Sequence, residues 1–359
     1  MRHVHIPDEI LRIILSRFPG KALLRLRCLS KQWNGVISDP YFMNSRSRPM
    51  IFLPNQYPLA VLDDKEEDNN PYSILKIKPP QELETHLHAY TGTKVSIIGT
   101  FNGLVILSLT SDSYLRTHMY LYNPLTSTSK KLLVMNKNFL GYSNSYVFGF
   151  SYDDFKIVRF AICNGSYQIT YDVFDLKTSL WSKPQLYPRR DFWFWNDTGM
   201  FVNGFLYWLI VVNSIDFEIL ALNVKEMMFS RIYLPNGCNY NHACRYKGTI
   251  MGSQNGRLCM INKNNKTSFD MWVMKEQAWL KATSFTFGLE LEGNFINEFY
   301  PMCILSNGKI LLTNGSHQLV IFNTITGSHK MVDDLFVHFL EAFVWLSTIC
   351  VFQQEALLD

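Results

Sequence analysis

The chain has 359 residues, 47% apolar, 14% aromatic and 18% charged, which excludes a disordered polypeptide and leaves room for one large or two modest domains. Its net charge of +4 is uneven: residues 1–48 hold nine Lys/Arg against three Asp/Glu, a net of +6, and the remainder carries −2. A basic start suggests an acidic partner or nucleic acid, with a solvated helical surface as the plainer reading.

The opening "MRHVHIPDEI" has no apolar run suited to a signal peptide. The longest apolar runs, Phe205 to Val212 and Ala342 to Phe352, are too short to span a bilayer and read as buried strands. Seven cysteines, with no Cys-x-x-Cys pair, fit free thiols in a reducing compartment. The expectation is a soluble protein of the cytoplasm and/or nucleus, with no membrane partner.

In chain order, helices come first. Pro7 followed by Asp8 and Glu9 suits a helix start, and Leu11, Ile14, Leu15 and Phe18 then recur at i, i+3, i+4 and i+7. Pro19-Gly20 ends that helix. The next stretch, "KALLRLRCLSKQW" from Lys21 to Trp33, carries apolar residues on two faces. Ala22, Leu26 and Leu29 share one side, with Leu23 at its edge; Leu24 and Cys28 lie nearly opposite; Arg25 and Arg27 sit in the gaps. A surface helix ordinarily needs one apolar stripe. This short stretch carries one more than that. Ser30 can cap a third helix, "SKQWNGVIS", which Asp39-Pro40 stops.

Beyond residue 50, short apolar runs alternate with turn residues. Asn-Gly pairs stand at 102–103, 203–204, 255–256 and 307–308, each followed by an apolar run. The last three are 52 residues apart. The first gap is 101, and Asp153-Asp154 stands at its midpoint as the missing turn in altered form. A second series, at Asn123, Asp175, Asn223, Met274 and Asn323, keeps phase with the first. Two hairpin turns per repeat of about 50 residues means about four strands per repeat, the period of a kelch-type propeller blade. Five repeats are clear. A sixth would combine "MIFL", "LAVL" and "SILKIK" near the start with "AFVWLSTIC" at the end, leaving no open edge. A β-sandwich with coincidental turns explains the two in-phase series less well.

The residues hold little that points to catalysis: no Gly-x-Ser-x-Gly, His-Glu-x-x-His or phosphate loop occurs. His86 and His88 read as strand histidines. Cys238, His242 and Cys244 lack a fourth zinc ligand and the usual spacing, and the acids between Asp63 and Asp68 lack the glycine of a calcium loop. No cofactor or metal is expected. "RRDFWFWND", Arg189 to Asp197, places four aromatic rings in a row beside charge. If exposed, Arg190, Phe192, Trp193 and Trp195 are candidate target-binding residues; as a strand, the run would turn alternate rings to opposite faces.

Ile6 to Phe42, "IPDEILRIILSRFPGKALLRLRCLSKQWNGVISDPYF", closely resembles the F-box. Ile6-Pro7, Ile14-Leu15-Ser16-Arg17-Phe18-Pro19, the Lys21 to Arg27 helix, Lys31 with Trp33, and Asp39-Pro40-Tyr41-Phe42 follow the family pattern in order. Ile6 and Phe18 stand where Leu is usual, and Ser30 where many members have a second Cys. "YNPLT", "GFSYDDFKIV", "VFDLKTSLW", "GMFVNGFLYWL", "FDMWVMKE" and "LSNGKILL" resemble, in order, the plant F-box-associated domain, which is kelch-like. The resemblance implies a three-helix F-box over 1–48 and a propeller of about six four-stranded blades over 49–359. It implies a non-catalytic receptor of an SCF (Skp–cullin–F-box) ubiquitin ligase. The F-box would bind the Skp-type adaptor, and through it the cullin, while the C-terminal domain captures an unidentified target protein for ubiquitination and degradation. The adaptor-binding residues so implied are Ile6, Pro7, Ile10, Ile14, Leu15, Phe18, Pro19, Leu23, Leu24, Arg27, Cys28 and Trp33. A carbohydrate-binding propeller module, a propeller enzyme, and an F-box scaffold outside a ligase are the alternatives. Nucleic acid is not expected, since the basic residues interleave with an apolar helical pattern and no groove-reading motif follows.

Overall fold

The computed structural model describes residues 6–16, 18, 23, 25–39, 42, 49–53, 59–63, 73–77, 93–101, 104–111, 116–123, 128–136, 144–163, 168–188, 191–213, 216–235, 248–291, 295–305, 308–314, 319–332 and 350–353. Of the residues singled out above, Arg17, Pro19, Gly20, Lys21, Ala22, Leu24, Pro40, Tyr41, residues 64–68, His86, His88, Asn102-Gly103, Arg189, Arg190, Cys238, His242, Cys244, Asn307 and all of 342–349 lie outside the described residues.

The start is helical. Helix α1 (Asp8–Leu15) begins directly after Pro7, whose carbonyl accepts from Leu11 N–H at 3.0 Å, and Asp8 and Glu9 sit in its first turn, where the helix dipole favours them. Helix α2 (Lys31–Ile37) is capped by Ser30, whose hydroxyl accepts from Trp33 N–H at 3.1 Å, as the sequence predicts. Leu23, Arg25 and Leu26 are helical between them. Leu11, Leu15, Leu23, Val36, Ile37 and Phe42 form one buried cluster, with Ile6, Leu26 and Trp33 packed against it. Arg12 pairs with Asp39 and joins α1 to the end of α2.

Two expected faces need correction. The Leu11–Ile14–Leu15–Phe18 stripe is split, because Leu11 and Leu15 point inward while Ile14 and Phe18 are exposed. Leu26 packs on the core, but Leu29, assigned to the same face, is 64% exposed.

Most of the remaining described residues form antiparallel sheet. Strand β28 (Cys350–Gln353) pairs with β1 (Pro49–Leu53), followed by β2 (Leu59–Asp63) and β3 (Ser73–Ile77). The end of the chain does pair with the first strand, but through residues 350–353; of the segment expected to close the sheet, "AFVWLSTIC", only Cys350 belongs to β28 and 342–349 lie outside the described residues. Four-stranded meanders follow: β4 (Thr93–Phe101), β5 (Leu104–Ser111), β6 (Arg116–Asn123), β7 (Thr128–Asn136); then β18 (Thr249–Gln254), β19 (Arg257–Lys263), β20 (Ser268–Lys275), β21 (Ala278–Thr286); and β24 (Tyr300–Ile304), β25 (Lys309–Thr313), β26 (Leu319–Asn323), β27 (His329–Met331). A short hairpin, β22 (Leu289–Leu291) and β23 (Phe295–Asn297), precedes the last of these.

Between β7 and β18 lie two meanders joined into one ten-stranded sheet. The first has β8 (Asn144–Ser151), β9 (Lys156–Cys163) and β10 (Gln168–Asp175), with β11 (Leu180–Trp181) and β12 (Gln185–Leu186) both on β10. The second has β13 (Phe192–Phe194), β14 (Thr198–Val202), β15 (Phe205–Val212), β16 (Asp216–Asn223) and β17 (Met228–Tyr233). The join is a parallel pairing of β8 with β14, Thr198 opposite Phe148 and Gly199 opposite Gly149. First strands neighbour one another along the series: β4 lies beside β28 and β8, and β14 beside β4 and β18.

The turns explain why the two sequence series keep phase. Asn203-Gly204 and Asn255-Gly256 both have positive φ at both residues (48° and 80°, 50° and 69°), the geometry of a type I′ hairpin. Asp153-Asp154 falls in the Tyr152–Phe155 turn that joins β8 to β9, with Phe155 at φ 56°. In the second series, Asp175, Asn223 and Asn323 each accept from the backbone N–H groups two and three residues on, at 2.8–3.2 Å. The next residue then ties the two turns of its sheet together: Leu176 N–H to Phe155 O (3.0 Å), Val224 N–H to Gly204 O (3.0 Å), Thr324 N–H to Gly308 O (2.9 Å). Between sheets, the Asn203 side-chain amide donates to Gly256 O. In these three meanders the described tight turns thus share one end of the sheet.

One turn departs from this chemistry. The β20–β21 hairpin puts Glu276 and Gln277 at φ 49° and 66°, a region that costs an ordinary L-residue about 1–2 kcal/mol. Gln277→Gly therefore raises stability by about 0.5–1 kcal/mol after the added unfolded-chain entropy is subtracted. Urea unfolding of the full chain checks this, and an unchanged or lower midpoint contradicts it.

Candidate protein-docking surfaces

Helix α1 is apolar on two sides. Its inner side is Leu11 and Leu15; its outer side is Ile10, Ile13 and Ile14, continued by Phe18, at 50%, 55%, 40% and 38% exposure. Positions 10, 13 and 14 fall on one arc of a 3.6-residue helix. Contiguous apolar surface of this kind, rimmed by polar groups, marks an interaction site.

The residues implied for adaptor contact separate into groups. Pro7, Ile10, Ile14, Phe18 and Cys28 are exposed. Ile6 and Trp33 are half-buried against the helical core. Arg27 donates from Nε to Asn34 Oδ1 at 2.9 Å and from Nη2 to Ser38 Oγ at 3.2 Å, which ties it to α2. Leu15 and Leu23 are fully buried. Their assignment as contact residues is corrected: both are core residues that hold α1 in place, because a side chain spent on the module's own core is not available to a partner. Ile13 and the 64% exposed Leu29 belong to the exposed set and are missing from the implied adaptor-contact residues, Leu29 having been placed on the face with Leu26. The signal for Ile13 was its place three residues after Ile10 and beside Ile14.

The second surface is the aromatic run. Residues 192–194 form β13, which pairs with the part of β15 beyond its pairing with β14, in the register Phe192–Val212, Trp193–Val211, Phe194–Ile210. Alternation sorts the rings as expected. Phe192 is buried and Phe194 packs beside it, in a cluster centred on Phe160 and Trp208, whereas Trp193 is 46% exposed. Phe192 as a target contact is therefore corrected, since its ring belongs to the core. Trp195 is half-buried, edge-on to Phe217 at 5.0 Å, and its N–H donates to Leu209 O at 2.9 Å. Asp191 makes a bidentate pair with Arg231 at 2.6 and 2.9 Å. Neither acid nor base was picked out in the sequence, because the pair spans 40 residues and has no local pattern. β13 pairs with the end of β15 that lies away from the Asn203-Gly204 turn, so this surface belongs to the end opposite the tight turns.

Among the described residues no group of three His, Cys, Asp or Glu could hold a metal ion, and no helix is long and apolar enough to cross a membrane.

Comparison with known proteins bears on both surfaces. Residues 4–45 match the model of the F-box domain, and residues 61–344 that of the F-box associated beta propeller domain. An F-box/kelch-repeat protein of Arabidopsis thaliana is 22% identical over 374 residues, 96% of this chain and 95% of its own length. A second F-box protein of the same plant is 25% identical over 402 residues, 96% of this chain and 90% of its own.

Proposed function

Because the chain belongs to the F-box-associated beta propeller family and carries an F-box domain ahead of that propeller, we propose that it is the substrate-recognition subunit of an SCF-type ubiquitin ligase. It is a non-catalytic receptor: the F-box, residues 1–48 with three helices, binds a Skp-type adaptor and through it the cullin. The propeller, residues 49–359 with about six four-stranded blades, captures the target. The working compartment is the cytoplasm and/or nucleus.

The observation that carries this reading is the outer face of α1. Ile10, Ile13, Ile14 and Phe18 are exposed on the segment that matches the F-box, while Leu11 and Leu15 close the core beneath. Topology supports a division of labour. β28 takes the first place in its sheet, beside β4, and β1 the second. A second strand starts at the tight-turn end, so the helical module joins the propeller there. The opposite end, with β13 and Trp193, is left for the target.

Affinity capture of the tagged full chain with the proteasome blocked, followed by mass spectrometry, tests the reading. Recovery of adaptor and cullin peptides together is the expected result, and their absence from a folded bait contradicts it.

A further inference from the structure

The strand β13 is only three residues long, and three backbone pairings alone hold a strand weakly. Burial of Phe192 and Phe194 and the Trp195 backbone N–H to Leu209 O hold it as well, and at its start so does a guanidinium. Arg231, on the outer strand β17, is largely buried, and donates from Nη2 and Nη1 to the two oxygens of Asp191, the residue immediately before β13. The planar fork suits a carboxylate taken this way. Its carbon centre also lies 5.2 Å from the Phe192 ring centroid. Glu218, on β16, keeps Nη1 in place from the other side at 3.5 Å. Phe192 in turn meets Tyr187 and Phe194 edge-on, at 5.5 and 5.3 Å.

We infer that Arg231 is the positioning residue of the target end: with Asp191 it forms a latch that fixes β13 on β15 and so turns Trp193 outward. This rests on the reading that the end opposite the tight turns takes the target, but the latch itself is tested without any target. When the latch opens, β13 lifts from residues 210–212 of β15 while the pairing of β14 with residues 205–207 stays.

Amide hydrogen exchange by mass spectrometry on the full chain tests it. Asp191→Ala removes an exposed carboxylate and leaves Arg231 with Glu218. Exchange in 192–195 is expected to rise at least tenfold, with 205–209 unchanged. Arg231→Lys keeps the charge but loses the fork and gives a smaller rise in the same segment. The double variant rises no further than Asp191→Ala alone. Unchanged exchange at 192–195 in Asp191→Ala, an equal rise through 205–209, or additive effects in the double variant overturns the inference.

Discussion

An Ile14→Asp variant loses binding to a Skp-type adaptor by at least a hundredfold and keeps its fold. Ile14 is 40% exposed on the outer face of α1, so the free protein accommodates a carboxylate there. In the proposed complex with the adaptor the same position is covered. Losing the isoleucine forfeits about 1.5–3 kcal/mol of apolar burial, and an unpaired charge under the interface adds desolvation on top. Together these exceed the 2.7 kcal/mol or so that a hundredfold change requires. Ile13→Asp behaves alike. Leu15→Ala gives a different result: it opens a cavity in the cluster of Leu11, Leu23, Val36, Ile37 and Phe42 and costs about 2–5 kcal/mol of stability. Calorimetric titration with circular dichroism as the folding control separates the two. Full-strength binding by Ile14→Asp would show that the outer arc of α1 is not the contact.

Trp208→Ala destabilises the propeller by about 3–5 kcal/mol. The indole is fully buried where the two joined meanders meet, and its Nε1 donates to Phe148 O at 2.9 Å. Phe160 lies edge-on at 5.1 Å. The ring fits because two glycines leave room for it. A Cβ on Gly149 would stand 2.5 Å from the indole, and one on Gly199 would stand 2.4 Å away. These two residues are partners across the parallel β8–β14 pairing, so the absence of side chains on both strands forms one slot. Gly199→Ala therefore costs about 1–3 kcal/mol by overpacking. In a Trp208→Ala background most of that cost disappears, because the clash has gone. Urea unfolding of the two singles and the double measures the coupling. Additive losses would mean that the glycines serve some purpose other than admitting the indole.

The parts of this structure that were legible in the sequence are those with local chemistry. Asn-Gly turns impose a backbone twist that only a hairpin uses. The Asp175, Asn223 and Asn323 turns repeat because each side chain bonds to its own neighbouring backbone. Ser30 likewise announces α2 by a contact three residues away. The pairing of the chain's end with β1 was legible in kind, as the strand that a repeating sheet lacked, but the strand that makes it, 350–353, follows the segment expected to do so. What stayed hidden depends on distant partners. No residue of β8 or β14 signals their parallel pairing, and Gly149 and Gly199 gain meaning only when Trp208 is seen between them. On α1, periodicity marked Leu11, Ile14, Leu15 and Phe18 as apolar but could not say which side faces in. That is decided by where α2 packs. The aromatic run was half legible: alternation separated Trp193 from Phe192 and Phe194, yet Arg231, which anchors the run, lies 40 residues from Asp191.

The most direct measurement is a hydrogen-exchange footprint of the full chain with a purified Skp-type adaptor. The account predicts protection concentrated in α1 and the residues through Phe18, with the β13 segment exchanging as in the free protein. Protection centred on the propeller strands, or none anywhere at saturating adaptor, would contradict it.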